Sequence, residues 1–170
     1  RDMFAFKKVQ HGRLLALLII SNLFLLFFFL NSKSNIEMIQ IRQCAEEDRA
    51  ALWEILKPIF RSGETYAVPP EIGESEAFQI WIEAPTETFV AVDANGRILG
   101  SYYIKPNQRG PGDHVCNCGY VVAEAARGQG VASLMCEHSL KEAVECGFRA
   151  MQYNLVVSTN EGAIRLWKKH

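Results

Sequence analysis

The sequence has no Cys-x-x-Cys pair and an odd number of cysteines, and both features argue against two common uses of cysteine. A disulfide framework pairs its cysteines evenly, and a zinc site usually groups them two or so residues apart. Since neither pattern is present, we predict no metal site and reduced thiols, as in a cytoplasmic protein. The five cysteines are Cys44, Cys116, Cys118, Cys136 and Cys146.

A metal remains an alternative at one place only. His114, Cys116 and Cys118 alternate along the chain, so in a strand their side chains would share one face. Buried side chains of a strand are the simpler explanation of that alternation.

An excess of positive charge is also missing from most of the chain. From residue 34 onward there are thirteen Lys and Arg residues against eighteen Asp and Glu residues, a net charge of −5. Proteins that bind nucleic acid carry a basic surface, so nucleic acid is not an expected partner. A small ligand or a cationic amine suits an acidic domain better. Residues 1–33 differ, with a net charge of +4.

A long apolar run, residues 14–30, is present near the start and contains two polar members, Ser21 and Asn22. Its length is at the lower limit for a helix that crosses a bilayer of ~30 Å. Basic residues precede the run, which is typical of a cytoplasmic flank. We leave three alternatives open: a signal anchor, a membrane-associated hairpin or surface helix, and a segment foreign to the natural protein. Membrane association would depend on residues 14–30 being native.

The charge break and a start-like Met38 divide the chain into two parts. Residues 1–37 form a hydrophobic N-terminal segment, either a membrane helix or a mis-called start. Residues 38–170 form one domain, which we expect to fold without that segment.

The segment 126–132 lies between a predicted buried strand, 118–122, and a predicted helix, 131–146. A strand, a glycine turn and a helix start together favour anion binding, because the first N–H groups of a helix lack partners. Gly128 and Gly130 permit left-handed backbone and close approach of a ligand. The loop lacks the Gly-Lys-Ser/Thr of a Walker A motif and the third glycine of a dinucleotide fingerprint. A pyrophosphate is the anion we expect.

The order Arg127-x-x-Gly130-x-Ala132 resembles the acetyl-CoA loop of the Gcn5-related N-acetyltransferase (GNAT) family. About thirty residues on, Asn160-x-x-Ala163-x-x-Leu166-Trp167 is similar to a second motif of that family. Between them, residues 149–157 are predicted to form a strand that splays away from Tyr120-Val121-Val122.

The resemblance implies an α/β fold, mixed in strand direction, with a mostly antiparallel sheet flanked by helices in the order β-α-α-β-β-β-α-β-α. It implies that the family's C-terminal strands are missing after His170, so the domain is expected to be truncated there. The patterns predict strands over residues 39–44, 87–92, 97–105 and 114–122, and helices over residues 46–59 and 74–83. One face of the helix at 131–146 is predicted to carry Val131, Leu134, Met135 and His138.

The resemblance also implies that acetyl-CoA is the cosubstrate, lying between two splayed strands. Its pantetheine arm would pair with the backbone near Tyr120, and an N–H near Tyr120 or Val121 would meet the oxyanion. The residues implied in cofactor binding are Tyr120, Val121, Val122, Arg127, Gly128, Gln129, Gly130, Val131, Ala132, Ser133 and Asn160.

The catalytic residues stay unassigned. The family usually has a tyrosine where Trp167 stands, and an indole N–H can donate a hydrogen bond but has no useful acidity. Tyr120 or Tyr153 could substitute as the acid. Candidates for a base rest on proximity alone: Glu87, Asp113 and His114. The region of Glu64, Thr65 and Tyr66 either forms a wall of the acceptor site or is an ordinary solvated loop.

Two asparagines in predicted strands, Asn117 and Asn154, suggest where an acceptor binds. Asparagine is disfavoured in strands, so each amide either satisfies a neighbouring backbone group or grips a small polar acceptor. The pattern is similar to that of fungal acetyltransferases that act on proline analogues such as azetidine-2-carboxylate. We expect an N-acetyltransferase acting on a small amine or amino acid, with a non-catalytic acyl-CoA-binding module or a protein N-acetyltransferase as alternatives. A homodimer is an open alternative.

Overall fold

The computed structural model describes residues 39–170. The apolar run at residues 14–30 and Met38 lie outside the described residues. The elements follow the order β-α-α-β-β-β-α-β-α, which confirms the predicted mixed fold. They are β1 (Gln40–Gln43), α1 (Arg49–Ser62), α2 (Glu74–Phe78), β2 (Glu87–Val92), β3 (Ile98–Pro106), β4 (Val115–Val122), α3 (Val131–Glu145), β5 (Ala150–Met151) and α4 (Glu161–Lys169). Within this part of the chain, no helix has the length and apolarity that crossing a membrane requires.

The five strands form one sheet in the order β1-β2-β3-β4-β5. Neighbours from β1 to β4 are antiparallel, and β5 is parallel to β4 because α3 carries the chain back across the sheet. The predicted Asn-Gly turn joins β2 to β3. Gly96 has φ +79°, and the Asp93 carboxylate accepts hydrogen bonds from the N–H groups of Asn95 and Arg97.

The sheet buries both of its faces, since successive residues of a strand point to opposite sides. The front face packs against α1 and α2, and the back face packs against α3. The core of the front face includes Leu52, Leu56, Phe60, Trp81, Val90, Tyr103 and Val121. The core of the back face includes Phe89, Tyr102, Ile104, Cys116, Cys118, Val131 and Met135.

The predicted length of the last strand is wrong. The sequence predicts a strand over residues 149–157, but β5 contains only Ala150 and Met151. These pair with Val115 and Cys116 of β4, after which the chain leaves β4. Leu155 has φ +50°, a left-handed backbone that no strand contains. The gap that the sequence predicts between these segments is therefore present, but its second wall is irregular chain.

Two helix predictions also need correction. The first predicted helix, residues 46–59, corresponds to α1, which continues past Pro58 to Ser62 and ends at Gly63, which has φ +65°. The predicted face of α3 is buried at Val131 and Met135, and the buried side also extends to Cys136, Ser139 and Ala143. Leu134 and His138 are half-buried. The fully buried residues of α3 are Val131, Met135, Cys136, Ser139 and Ala143.

Asp48 ties β1 to the start of α1. Its carboxylate accepts hydrogen bonds from the Arg42 guanidinium at 2.6 and 2.8 Å and from the Ala45 N–H at 2.8 Å. The hydrogen bond from Arg42 holds the pKa of Asp48 below its usual value, with the Ala45 N–H adding to the effect against burial. A lowered folded pKa gives stability that is present above the unfolded value of about 3.9 and is lost as pH falls.

Asp48→Asn is therefore expected to lower the free energy of unfolding by about 1–3 kcal/mol at neutral pH. The difference from the parent should shrink as pH falls below about 4, because Asp48 binds a proton in the unfolded chain before it does so in the folded one. Urea unfolding at pH 7 and pH 3 measures both, with the exposed Asp113→Asn as control. A difference that stays constant with pH would show that the ion pair is not its source.

Candidate active site

The glycine loop places two left-handed residues directly before α3. Gly128 has φ +75° and Gly130, the N-cap residue, has φ +82°. A Cβ added at Gly128 would meet no atom within 4 Å, so its backbone lies open. Among the described residues, no side chain caps α3. The first N–H groups of the helix, at residues 131–133, are therefore available to an anion.

The edge of β4 that faces the gap is defined by two hydrogen bonds. The Cys116 carbonyl accepts from the Gln152 N–H at 2.8 Å, and the Tyr120 carbonyl accepts from the Tyr66 hydroxyl at 2.8 Å. Because backbone groups alternate along a strand, Tyr120 turns its N–H to the gap and Val121 turns its own to β3. Of the two N–H groups expected to meet an oxyanion, the geometry fits Tyr120 and excludes Val121.

An inner cavity of about 100 Å³ lies in the gap. Thr65 and Tyr66 form one wall, so the loop between α1 and α2 does border the site. No charged side chain lines it. The lining residues are Thr65, Tyr66, Cys118, Gly119, Tyr120, Tyr153, Asn154, Leu155, Val156, Val157, Asn160, Ala163 and Trp167.

Three aromatic rings close the back of the inner cavity. Trp167 stacks on Tyr153 with ring centroids 4.2 Å apart and lies 4.9 Å from Tyr120. The Tyr120 hydroxyl bonds to the Ser139 hydroxyl at 2.7 Å. Burial raises the pKa of both Tyr120 and Tyr153, so each hydroxyl stays neutral and is a weak acid.

The three asparagines singled out in the sequence have different surroundings. Asn117 is 8% exposed, and its amide donates to the Gln152 carbonyl at 2.9 Å, which closes the vertex of the gap. Asn154 is exposed, donates to the Asn107 side chain and lines the inner cavity. Asn160 also lines this cavity, and its side-chain oxygen accepts from the Ala163 N–H at 3.1 Å as the N-cap of α4. Asn117 does not line the cavity.

An outer cavity of about 310 Å³ lies between α1 and the glycine loop. Arg127 borders it together with three glutamates, yet forms no ion pair with any described residue. Its lining residues are Glu54, Ile55, Pro58, Ile59, Ser62, Glu64, Thr65, Val122, Ala123, Glu124 and Arg127.

The bases suggested by proximity do not line either cavity. Glu87 accepts a hydrogen bond from the Gln43 side chain at 2.9 Å. His114 bonds through Nδ1 to the Pro111 carbonyl at 2.9 Å, and its neighbour Asp113 is exposed. The general base therefore has no candidate among them.

Sequence reasoning missed the contact between Gly119 and Tyr103. A Cβ added at Gly119 would lie 2.4 Å from a ring carbon of Tyr103, so only glycine permits this approach. The available signal was a glycine inside a strand, which often marks a close approach of another group. Which group approaches depends on the register of β3 and β4, since Tyr103 pairs with Gly119.

A mostly antiparallel sheet whose last parallel pair splays beside a glycine loop and a helix start defines the class of acyl-CoA-dependent transferase folds. A model of the acetyltransferase (GNAT) family matches residues 49–170, and the chain belongs to this family. The matched residues extend from the start of α1 through α4.

Known proteins support this assignment. The chain is 30% identical over 122 residues to the N-acetyltransferase aca1 of Schizosaccharomyces pombe; the match covers 63% of this chain and 58% of that relative, less than two thirds of its length. A GCN5-related N-acetyltransferase from Kribbella flavida superposes with a TM-score of 0.74 at 41% identity, over 78% of this chain and 81% of the other. A phosphinothricin acetyltransferase from Sinorhizobium meliloti, solved with acetyl-CoA, has the same fold (TM-score 0.68, 18% identity, 78% and 73% covered).

Proposed function

We propose that this chain transfers an acetyl group from acetyl-CoA to the amine of a small molecule or amino acid. One observation carries the proposal: the gap-facing edge of β4 leads directly into the open N–H groups at the start of α3. A strand edge suits an amide-containing arm, and a helix start suits a pyrophosphate. The strand edge leads to the helix start, just as the amide-containing arm leads to the pyrophosphate in acetyl-CoA. The acetyl-CoA complex of the Sinorhizobium protein, which shares the fold, is consistent with this.

Each residue of the loop has a proposed part in holding the cosubstrate. The N–H groups of residues 128–133 would bind the pyrophosphate, and Arg127 would add a charge-assisted contact. The backbone of Tyr120 and Val122 would pair with the arm, and the amide of Asn160 would hold it from α4. The Tyr120 carbonyl already accepts a hydrogen bond from the Tyr66 hydroxyl. This bond would have to break before the arm could pair with the carbonyl.

Binding would also require the gap to widen. The inner cavity is smaller than the roughly 300–1,000 Å³ typical of ligand sites. Its irregular wall, residues 152–157, is joined to β4 by few hydrogen bonds and contains the strained Leu155. This wall and α4 are the parts that we expect to move.

The reaction needs a neutral amine, a donor for the oxyanion and a proton for the leaving thiolate. The Tyr120 N–H is the proposed oxyanion donor, because it faces the gap and β3 does not use it. Trp167 could stabilise the thiolate with its indole N–H but cannot supply a proton. Tyr120 and Tyr153 remain candidate acids, although burial opposes ionisation of both.

The acceptor would bind near the vertex of the gap, between Asn117 and Asn154. We propose more specifically that the acceptor is a cyclic amino acid, as it is for the proline-analogue enzymes that the sequence resembles. The two asparagines are expected to differ in effect, because Asn117 is buried and hydrogen-bonded whereas Asn154 is exposed.

Asn154→Ala is expected to raise the acceptor KM several-fold while stability stays within about 0.5 kcal/mol of the parent. Asn117→Ala should act on the acceptor too, but should also lower stability by about 1–3 kcal/mol, because it leaves the Gln152 carbonyl unpaired. Steady-state kinetics and urea unfolding of both variants measure this. If Asn154→Ala has unchanged kinetics with every acceptor used by the parent, Asn154 has no role in binding.

Release of the CoA thiol in the presence of acetyl-CoA and a panel of small amines and amino acids tests the proposed function. Turnover with small amines supports it. Turnover only with peptides would indicate a protein N-acetyltransferase, and acetyl-CoA binding without turnover would indicate a binding module. A cytoplasmic location, where acetyl-CoA is available to such an enzyme, is part of the same proposal.

A further inference from the structure

Lys105 is the only charged side chain on the front face of strands β2, β3 and β4. These strands contain two charged residues, Glu87 and Lys105. Thr88 points to the front face, where its hydroxyl donates to the Trp81 carbonyl, so the adjacent Glu87 points to the back. Lys105 is therefore the one charged side chain on this face of the three strands, where its neighbours are apolar or uncharged polar groups. The same face forms the front wall of the inner cavity.

The Lys105 ammonium is held in place by an aromatic ring. Its nitrogen lies 5.2 Å from the ring centroid of Tyr103, within the range of a cation–π interaction. Lys105 is half-buried and forms no salt bridge with any residue of the described part of the chain. A half-buried cation without a carboxylate partner is able to take one from a ligand.

The Tyr103 hydroxyl connects this cation to the inner cavity. Tyr103 is 7% exposed, and its hydroxyl makes no hydrogen bond within residues 39–170. The hydroxyl oxygen lies 2.9 Å from where a Cβ of Gly119 would stand, and Gly119 lines the inner cavity. Burial raises the pKa of Tyr103 to about 12, so the group keeps its proton as a donor. Among the described residues no buried side-chain nitrogen or oxygen lacks a partner, so this unbonded hydroxyl reaches accessible space, where it can donate to a ligand.

We propose that Lys105 and the Tyr103 hydroxyl form a carboxylate-binding subsite on the front side of the gap. Lys105 pairs in the sheet with Asn117, at the vertex where the acceptor would bind. No charged side chain lines the inner cavity, and Lys105 lies outside its lining, so an acceptor whose carboxylate reached Lys105 would extend out of the cavity past Gly119. The preferred acceptors are then amino acids rather than simple amines. This inference rests on the proposed function for its acceptor site.

Matched pairs of acceptors that differ only in the carboxylate test the subsite: L-azetidine-2-carboxylate with azetidine, and L-proline with pyrrolidine. The full chain should prefer the acid of each pair. Lys105→Met, which keeps the apolar stem, should raise the KM for the acids about tenfold, equivalent to about 1.4 kcal/mol. The KM for the simple amines and for acetyl-CoA, and kcat, should stay near the parent values. Lys141→Met, an exposed lysine on α3, should change none of them.

Tyr103→Phe removes only the hydroxyl and should raise the same KM about threefold without lowering the melting temperature. An unchanged preference for the acids in both variants would overturn the subsite. Calorimetric titration of L-azetidine-2-carboxylate and L-proline into the CoA-saturated chain separates this test from turnover. Binding that Lys105→Met weakens supports the subsite even if no acetyl transfer occurs, which would then count against the proposed function alone. Absence of binding in the parent, or equal binding in the variant, contradicts the subsite.

Discussion

Gly130→Glu is expected to weaken acetyl-CoA binding by at least about 100-fold, or roughly 3 kcal/mol. The substitution places a carboxylate at the N-cap of α3, where the proposed pyrophosphate would sit against unpaired N–H groups. It also puts a side chain on a residue with φ +82°, which costs stability of about 1–2 kcal/mol. Isothermal titration calorimetry with acetyl-CoA measures the loss of affinity.

Gly147→Glu is the matched control for this variant. Gly147 follows the other end of α3 and has φ +83°, so the same side chain meets the same backbone strain away from the glycine loop. Both variants should lose thermal stability, but only Gly130→Glu should lose acetyl-CoA. Equal affinity for acetyl-CoA in Gly130→Glu and the parent would mean that the site is elsewhere.

Trp81→Ala is expected to lower the free energy of unfolding by about 3–5 kcal/mol, a large part of the ~5–15 kcal/mol of a typical domain. Trp81 is fully buried in the front core, where Phe60, Tyr66 and Tyr103 surround its ring with centroids 4.9 to 6.2 Å away. Its indole N–H donates to the Ser101 hydroxyl at 3.0 Å. Removing the ring leaves a cavity behind Tyr66, which lines the inner cavity, and behind Tyr103 of the proposed carboxylate subsite. Urea unfolding measures the loss.

Trp53→Ala provides the comparison, because Trp53 is only half-buried on α1 and has one aromatic neighbour, Phe78, at 6.4 Å. Its truncation should cost less than half as much. If the two variants lose equal stability, the front core is not organised around Trp81.

The features that could be predicted from the sequence are those encoded locally. The turn at Asn95-Gly96, the glycines before α3 and the alternation of β4 each depend on a few consecutive residues whose dihedral preferences are strong. The length of β5 was not predictable in this way. A strand persists only where a neighbour pairs with it, and residues 153–157, apolar except for Asn154, have the composition of a strand without such a neighbour.

The parts of the candidate site that depend on long-range register were also beyond the sequence. Asn117 is a predicted acceptor ligand, and no local pattern indicates the hydrogen bond that its amide donates to the Gln152 carbonyl, thirty-five residues away. The sequence leaves Tyr66 open as a wall of the site or a solvated loop residue, because the Tyr120 carbonyl that accepts from its hydroxyl is fifty-four residues away. The contact between Tyr103 and Gly119 arises from the pairing of β3 with β4. Such contacts follow from the assembled sheet and not from any local pattern.

Hydrogen exchange of the full chain, with and without saturating acetyl-CoA, tests the central claim most directly. If acetyl-CoA binds along β4 and against the start of α3, amides in residues 118–122 and 128–134 should exchange more slowly in its presence. The turn at residues 93–97, which lies outside both cavities, should be unaffected. Slower exchange in both segments, with none at the turn, is the result we expect. Unchanged exchange in residues 128–134 despite saturation would contradict it.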